Sequence, residues 1–153
     1  MSNRIRPARP DDLSFLQTCA REAYAPYVPR IGREPAPMVA DFATHIELGE
    51  AWLAIDPKDS PAGFIIMFAR AEAWFIENVA VLPARHGEGF GGALLRMAEG
   101  TAQDRGKPLL RLYTNDAMTE NLTLYPALGF RETHRIHEDG FDRVYFEKTI
   151  TAA

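Results

Sequence analysis

The sequence predicts an α+β fold in which helices cover one sheet. Two observations lead to this prediction. Strand-like apolar stretches are interspersed with segments whose apolar residues recur at helical spacing. Their order is strand, two helices, three strands, helix, strand, helix and two strands, which is not a regular βαβαβ array. The 153 residues, 46% hydrophobic and 25% charged, suit one globular domain, and we predict a single domain over residues 1–153.

The N-terminal third is predicted to contain one strand and two helices. A short extended stretch is closed by two prolines, and Asp11 is the predicted N-cap of a helix that ends near Tyr24. Four prolines and a glycine predict irregular structure over residues 25–37. The second helix follows, because apolar residues then recur at helical spacing at Met38, Phe42 and Ile46.

The central part of the chain is predicted to form three strands. Residues 51–55 and 63–69 are apolar and are joined by turn-forming residues, which predicts a hairpin. After a brief turn, residues 74–82 form the third of these strands. Pro83 ends it, because proline has no backbone N–H to donate to a strand ladder.

The C-terminal part is predicted to add two helices and three strands. Residues 90–106 show one apolar helical face, and residues 109–114 form the next strand. A short helix is predicted over residues 118–129. The chain then closes with a hairpin of residues 130–137 and 141–149 around an acidic, glycine-containing turn.

Composition and charge exclude several function classes. Seventeen Lys and Arg against 21 Asp and Glu give a net charge of −4, so we expect no nucleic acid partner. The longest apolar run, residues 64–69, is too short to cross a membrane, and no signal-peptide pattern is present; we expect a cytoplasmic protein without a membrane partner. Cys19 is the single cysteine, and the four histidines are scattered, so we predict no disulfide and no metal site.

Four glycines fall within the six positions 87–92, between the strand that ends at Leu82 and the helix that begins near Phe90. Glycine permits positive φ and a close approach of the backbone to a ligand. The first N–H groups of a helix have no partners within it and lie at the positive end of its dipole. We therefore predict a site for an anion such as a pyrophosphate, with an ordinary glycine-rich turn as the alternative.

The same loop matches the spacing of a dinucleotide-binding fingerprint through Gly87, Gly89 and Gly92. That fingerprint requires a carboxylate about 20 residues further on to hold a ribose. Residues 107–113 contain no acid, and too little chain remains for further βα units. The loop is also not a Walker A motif, because no Gly-Lys-Ser/Thr follows it.

Two segments carry a resemblance to a known family. Residues 79–95, VAVLPARHGEGFGGALL, resemble the acetyl-CoA-binding motif of the GNAT superfamily of N-acetyltransferases. Residues 121–130, NLTLYPALGF, resemble the second recurrent stretch of that family, and the two follow in the family's order and spacing. The resemblance implies a mostly antiparallel, splayed sheet of about seven strands flanked by about four helices.

The resemblance also implies how acetyl-CoA would bind as the co-substrate. Its pyrophosphate would lie on the N–H groups of residues 87–92, and its pantetheine arm beside residues 79–81. The family usually has Arg or Gln where this chain has His86, so a phosphate contact there depends on the imidazole. The cofactor-binding residues implied are Val79, Ala80, Val81, His86, Gly87, Glu88, Gly89, Phe90, Gly91, Gly92, Asn121 and Tyr125.

The resemblance assigns two residues to the chemistry. Tyr125 corresponds to the tyrosine that protonates the leaving thiolate, with core packing as its alternative role. Glu77 stands in an otherwise apolar strand and is the candidate general base; an exposed or ion-paired glutamate is equally compatible, and Glu72 and Glu22 are weaker substitutes. Asn121 precedes Tyr125 by one helical turn, where it would contact CoA or cap a turn.

The acceptor side of the site is predicted from the family resemblance. By resemblance, residues 24–37 would hold the acceptor, with Tyr24 and Tyr27 as candidate contacts and an ordinary surface loop as the alternative. We expect N-acetylation of a small-molecule or protein amine by direct transfer, since Cys19 is remote from both motifs. A catalytically silent acyl-CoA-binding module is the second hypothesis, and a homodimer is compatible with the pattern.

Overall fold

The computed structural model describes residues 3–151 and contains, in that part of the chain, seven strands and four α-helices longer than one turn. The strands are β1 (Arg4–Pro7), β2 (Ala51–Ile55), β3 (Pro61–Arg70), β4 (Ala73–Val81), β5 (Leu109–Asn115), β6 (Arg131–Glu138) and β7 (Phe141–Thr149). The helices are α1 (Leu13–Tyr24), the single turn α2 (Val28–Ile31), α3 (Phe42–Glu47), α4 (Phe90–Asp104) and α5 (Thr119–Ala127).

The strands form one sheet in the order β1-β2-β3-β4-β5-β7-β6. β4 and β5 are parallel, whereas β2 is antiparallel to both β1 and β3, and β7 is antiparallel to both β5 and β6. β3 and β4 are joined by the two residues Ala71 and Glu72, a connection that only antiparallel neighbours can use. The predicted fold class is confirmed: a mixed, mostly antiparallel seven-stranded sheet with four helices.

The chain forms two compact units, the first of which comprises residues 3–67 and 77–97. Its core is apolar, and within it α1 contacts α3. Phe42 of α3 meets Phe64 of β3 edge to face, with ring centroids 5.5 Å apart. The side chains with no exposed surface include Leu16, Cys19, Leu53, Phe64 and Ile65.

The second unit comprises residues 68–76 and 98–151. The paired strands β5 and β7 bury Leu110, Leu112 and Phe146 almost completely. Glu147, which is also buried, accepts hydrogen bonds from Arg111 at 2.8 Å and Arg131 at 2.7 Å, and these bonds hold the pKa of its carboxyl below the usual range. A buried carboxylate is therefore compensated by two guanidinium groups.

Two local predictions for the N-terminal third are wrong. Asp12, not Asp11, stands at the N-cap position of α1, because residues 10–12 form a 3-10 turn first. The Asp12 carboxylate accepts from the Arg9 backbone N–H at 2.7 Å and from Arg6 at 2.8 Å, and the bond to Arg6 lowers its pKa.

Residues 25–37, predicted to be irregular, contain the 3-10 turn Ala25–Tyr27, the helical turn α2 and the start of a second 3-10 turn, Ala36–Val39. Proline stands in the first positions of each of these turns, where its missing N–H is not needed. Prolines that rule out a long helix are therefore compatible with several short ones.

Within the described residues, no helix is both long and apolar enough to cross a membrane.

Gly63 of β3 gives a direct test of how closely β3 and β4 approach. A Cβ atom at this position would lie 2.6 Å from the carbonyl oxygen of Ala80 in β4. We expect Gly63→Ala to lower the free energy of unfolding by about 1–3 kcal/mol, because a backbone has to move. Urea denaturation followed by circular dichroism measures this change.

Gly100→Ala is the matched control for Gly63→Ala. Gly100 lies inside α4, and no atom lies within 4 Å of the position of its Cβ. This substitution should raise the free energy of unfolding by about 0.5–1 kcal/mol, since alanine favours the helix. A Gly63→Ala variant as stable as the wild type would contradict the close approach of the two strands.

Candidate active site

The glycine loop follows β4 as predicted. A 3-10 turn, Pro83–Arg85, comes after the strand, and α4 begins at Phe90. Gly87 and Gly89 have φ values of +85° and +88°, a region that L residues with a side chain adopt at a cost. Apart from each glycine and its two chain neighbours, no protein atom lies within 4 Å of the position of a Cβ on either glycine. Both glycines are therefore required by the backbone conformation and not by crowding.

The first turn of α4 presents backbone N–H groups at the end of this loop. The N–H of Ala93 donates to the carbonyl of Gly89 at 3.1 Å, which begins the hydrogen-bond series of the helix. The N–H groups of residues 90–92 precede that series and carry the positive end of the helix dipole. This arrangement suits an anion with several oxygen acceptors.

Arg85 anchors the loop at its base. Its guanidinium donates to Glu88 at 3.0 and 3.1 Å and to Asp56, in the turn after β2, at 3.0 Å. These bonds raise the pKa of Arg85, the bond to Glu88 most strongly. The pKa of Asp56 is lowered by the backbone N–H of Ser60 and further by Arg85. Arg85 thus offsets the charge of the acid within the glycine loop.

His86 contacts the strand that precedes it. Its Nε2 lies 3.1 Å from the carbonyl oxygen of Val81, and the side chain is exposed. Because a carbonyl only accepts, Nε2 carries the proton in this contact, and a neutral ring then has only an acceptor at Nδ1. In this arrangement a neutral His86 has no proton left to donate to a phosphate.

The second half of β4 contains the candidate base and the candidate pantetheine-binding residues. The parallel pairing with β5 joins Ala73–Ile76 to Leu109–Leu112, and β4 continues beyond it to Val81. Glu77 and Val79 are half-buried, and Ala80 is buried. The strand therefore places Glu77 immediately after the last residue paired with β5.

The backbone groups of these residues alternate between the two edges of β4. The N–H of Leu82 donates to the carbonyl of Ala62 in β3 at 2.8 Å. Because the backbone groups of successive residues point to opposite edges, the backbone groups of other even-numbered residues, such as Ala80, also face β3. Val79 and Val81 face the opposite edge. Their carbonyls accept from side chains, Val79 from the Tyr24 hydroxyl at 3.2 Å and Val81 from His86.

Asn78 is a residue of this region that the sequence analysis missed. It is 3% exposed and lies between Glu77 and Val79. Its Oδ1 accepts from the Tyr24 hydroxyl at 2.8 Å, and its Nδ2 donates to the carbonyl of Pro37 at 2.9 Å. The sequence did contain a signal for Asn78, because its amide lies on the same face of β4 as the apolar Ile76 and Ala80.

The two tyrosines proposed for the acceptor side make different contacts in the structure. Tyr24 ends α1, and its hydroxyl bonds to β4 through Asn78 and Val79. Tyr27 lies in the following 3-10 turn, half-buried, with the guanidinium of Arg30 at 5.1 Å from its ring centroid. Tyr24 thus has a defined structural contact, whereas Tyr27 forms part of a cation–π pair.

The second unit contains Tyr125 and Asn121, both in α5. Tyr125 is 7% exposed and packs against Phe130 and Phe146, with ring centroids 5.7 and 5.6 Å apart. Asn121 donates from Nδ2 to the Thr114 hydroxyl of β5 at 3.0 Å. Both side chains therefore have packing or hydrogen-bonding roles within their own unit.

Among residues 3–151, no three His, Cys, Asp or Glu side chains are grouped so that they could hold a metal ion.

The sheet order and the glycine loop can be compared with known proteins. The family model of the acetyltransferase (GNAT) domain matches residues 47–132, a range that contains both motifs. No curated protein sequence matches the chain significantly.

Solved structures resemble the chain over nearly its whole length. The ribosomal-protein-S18-alanine N-acetyltransferase from Escherichia coli is 23% identical, with a TM-score of 0.76 over 99% of this chain and 96% of that one. The PaiA N-acetyltransferase from Thermoplasma acidophilum, in complex with coenzyme A, is 21% identical, with a TM-score of 0.79 over 97% and 99%. Nourseothricin acetyltransferase is 17% identical, with a TM-score of 0.73 over 99% and 100%.

These structures support the fold, and the family model, which spans more than half of the residues, supports the family. The chain therefore belongs to the GNAT family of acetyltransferases.

Proposed function

We propose that this chain is a single-domain N-acetyltransferase that transfers acetyl from acetyl-CoA to a primary amine within a ternary complex. The observation that carries the proposal is the glycine loop after β4, with two glycines at positive φ and the first N–H groups of α4 beyond them. Because the chain belongs to the GNAT family, acetyl-CoA is the expected ligand, and its pyrophosphate is the expected anion. The cytoplasm remains the predicted location.

The pyrophosphate of acetyl-CoA is proposed to lie on the N–H groups of residues 87–92. Each charge-assisted hydrogen bond to such a group contributes roughly 1.5–3 kcal/mol, so several of them can hold the ligand without a basic patch. Arg85 supports this binding indirectly, because it compensates the charge of Glu88 within the loop. The pantetheine arm is proposed to follow Val79, Ala80 and Val81.

The chemistry requires one proton to leave the amine and one to reach the sulfur. In the proposed reaction the neutral amine nitrogen attacks the thioester carbonyl, the C–N bond forms and the C–S bond breaks. Glu77 accepts the proton that the amine loses, and the phenol of Tyr125 protonates the departing thiolate. A backbone N–H near Val81 would stabilise the developing oxyanion, and Asn121 is proposed to contact CoA.

A covalent acetyl-cysteine intermediate is disfavoured by the state of Cys19. Its side chain has no exposed surface, and burial raises the pKa of its thiol to about 12. The thiolate is the nucleophilic form of cysteine, and a thiol with this pKa stays protonated near neutral pH. Direct transfer from acetyl-CoA to the amine therefore remains the simpler route.

The acceptor is proposed to be an amine on a small molecule or on a protein. The similar structures bear names that specify both kinds, a ribosomal-protein alanine and nourseothricin, so the fold alone is compatible with either. Tyr24 and Tyr27 are the proposed residues on the acceptor side. A homodimer stays a prediction.

A turnover screen tests the proposed function. The purified protein is incubated with acetyl-CoA and a panel of polyamines, amino acids, aminoglycoside-like amines and peptide N-termini, and release of free CoA thiol is followed. We expect release that depends on one class of amine. Binding of acetyl-CoA without turnover for any amine would instead favour the silent acyl-CoA-binding module.

Gly89→Ala tests the position of the pyrophosphate. Positive φ disfavours alanine by roughly 1–2 kcal/mol, so the loop should change conformation and affinity for CoA should fall about tenfold or more by calorimetry. Gly49→Ala is the matched control, since Gly49 has φ +73° and also has open space around it. Equal affinities of the two variants for CoA would contradict the placement.

Tyr125→Phe tests the general acid. The phenylalanine ring keeps the contacts with Phe130 and Phe146, whereas the proton donor for the thiolate is lost, so kcat should fall about 100-fold or more in a folded variant. Tyr113→Phe removes a hydroxyl from another tyrosine of the same unit and serves as the control. An unchanged kcat for Tyr125→Phe would refute the assignment.

A further inference from the structure

Asn78 is a buried amide that bonds to two separate parts of the chain. Its Oδ1 accepts from the Tyr24 hydroxyl at 2.8 Å, and its Nδ2 donates to the carbonyl of Pro37 at 2.9 Å. With 3% of its surface exposed, the side chain depends on these partners, because a buried amide without them costs free energy. The two bonds form what we name the Asn78 clamp, consisting of Asn78, Tyr24 and Pro37.

The clamp closes both ends of one segment. Tyr24 is the last residue of α1, and Pro37 lies in the 3-10 turn Ala36–Val39. Residues 25–36 run between them through the short turn α2, which ends at Gly32 with φ +87°. One side chain of β4 therefore bonds both to the residue at which this segment leaves α1 and to a residue at which the segment returns.

The clamp is attached beside the proposed catalytic residues of β4. Asn78 directly follows Glu77 in the strand, and the Tyr24 hydroxyl also approaches the carbonyl of Val79 at 3.2 Å. The segment is thus held both to the Asn78 side chain and to the backbone of the next residue, Val79.

We infer that Asn78 is a positioning residue that sets the affinity for the amine acceptor by holding residues 25–36 in place. The inference rests on the proposed function, in which this segment lies on the acceptor side. It also assigns Tyr24 a role as a tether between α1 and β4, distinct from the direct acceptor contact that the sequence suggests. Asn78 itself takes no part in the proton transfers.

Asn78→Ala removes both bonds of the clamp. With the best amine from the turnover screen, the KM for the amine should rise about tenfold, which corresponds to loss of roughly one net hydrogen bond. The KM for acetyl-CoA should stay within about twofold. Deuterium exchange at the amides of residues 25–36 should become faster, since the segment loses both of its bonds to Asn78.

Ile55→Val in β2 is the control for general loss of stability. Ile55 is a fully buried core residue of the same unit outside the clamp, and its truncation lowers stability modestly. This variant should leave the amine KM and the exchange of residues 25–36 unchanged. Tyr24→Phe, which removes only a hydroxyl, provides a second test if Asn78→Ala does not fold.

The double variant Tyr24→Phe with Asn78→Ala separates a tether from a direct contact. If the two residues act through one clamp, the double variant raises the amine KM by less than the product of the two single effects, because in the Asn78→Ala background Tyr24→Phe removes only the bond to Val79. Effects that multiply would overturn the inference, because Tyr24 would then act on the acceptor independently. Unchanged amine KM and exchange in a folded Asn78→Ala variant would overturn it as well.

The exchange measurement also separates this inference from the proposed function. If the wild type acetylates no amine, the proposed function fails, while faster exchange of residues 25–36 in Asn78→Ala still supports the clamp as the device that holds the segment. If exchange is unaffected, the clamp fails, whatever the turnover of the wild type.

Discussion

The alternation of backbone groups along β4 is the constraint on which the candidate site depends. A strand directs successive N–H and C=O pairs to opposite edges, so Ala80 and Leu82 face β3 while Val79 and Val81 face the other edge. Beyond Ile76, the last residue paired with β5, the carbonyls on that edge accept from the Tyr24 hydroxyl and the His86 ring. Two carbonyls of β4 beyond its pairing with β5 are satisfied in this way by side chains.

The ion pairs of Arg85 offset negative charge at the glycine loop. A net charge of −4 and an acid inside the glycine loop are unfavourable for an anion. Arg85 holds Glu88 and Asp56 together, so the acid in the loop is compensated locally. In the proposed binding mode the backbone N–H groups would hold the anion, while Arg85 stays paired with Glu88 and Asp56. An acidic protein can therefore form a phosphate site from its main chain.

The sequence predicted the parts of the molecule that depend on local pattern. Element order, the closing hairpin and the glycine loop follow from periodicity and from residues with special backbone preferences, and all are present. The contacts of Asn78, Tyr24 and His86 were not predictable, because each joins residues that only the folded chain brings together. Asp11 and Asp12 are both residues that favour an N-cap, and it is the 3-10 turn over Pro10–Asp12 that puts Asp12 at that position.

The glycine loop and the Asn78 clamp, both in the first unit, respond differently to substitution. Loop N–H groups belong to the main chain, so they persist through most side-chain changes that leave Gly87 and Gly89 in place. The Asn78 clamp consists of side-chain bonds and is lost with a single substitution. If the loop binds the cofactor and the clamp positions the acceptor segment, acceptor choice can change while cofactor binding is retained. Specificity for the amine then resides in side chains and cofactor affinity in the backbone.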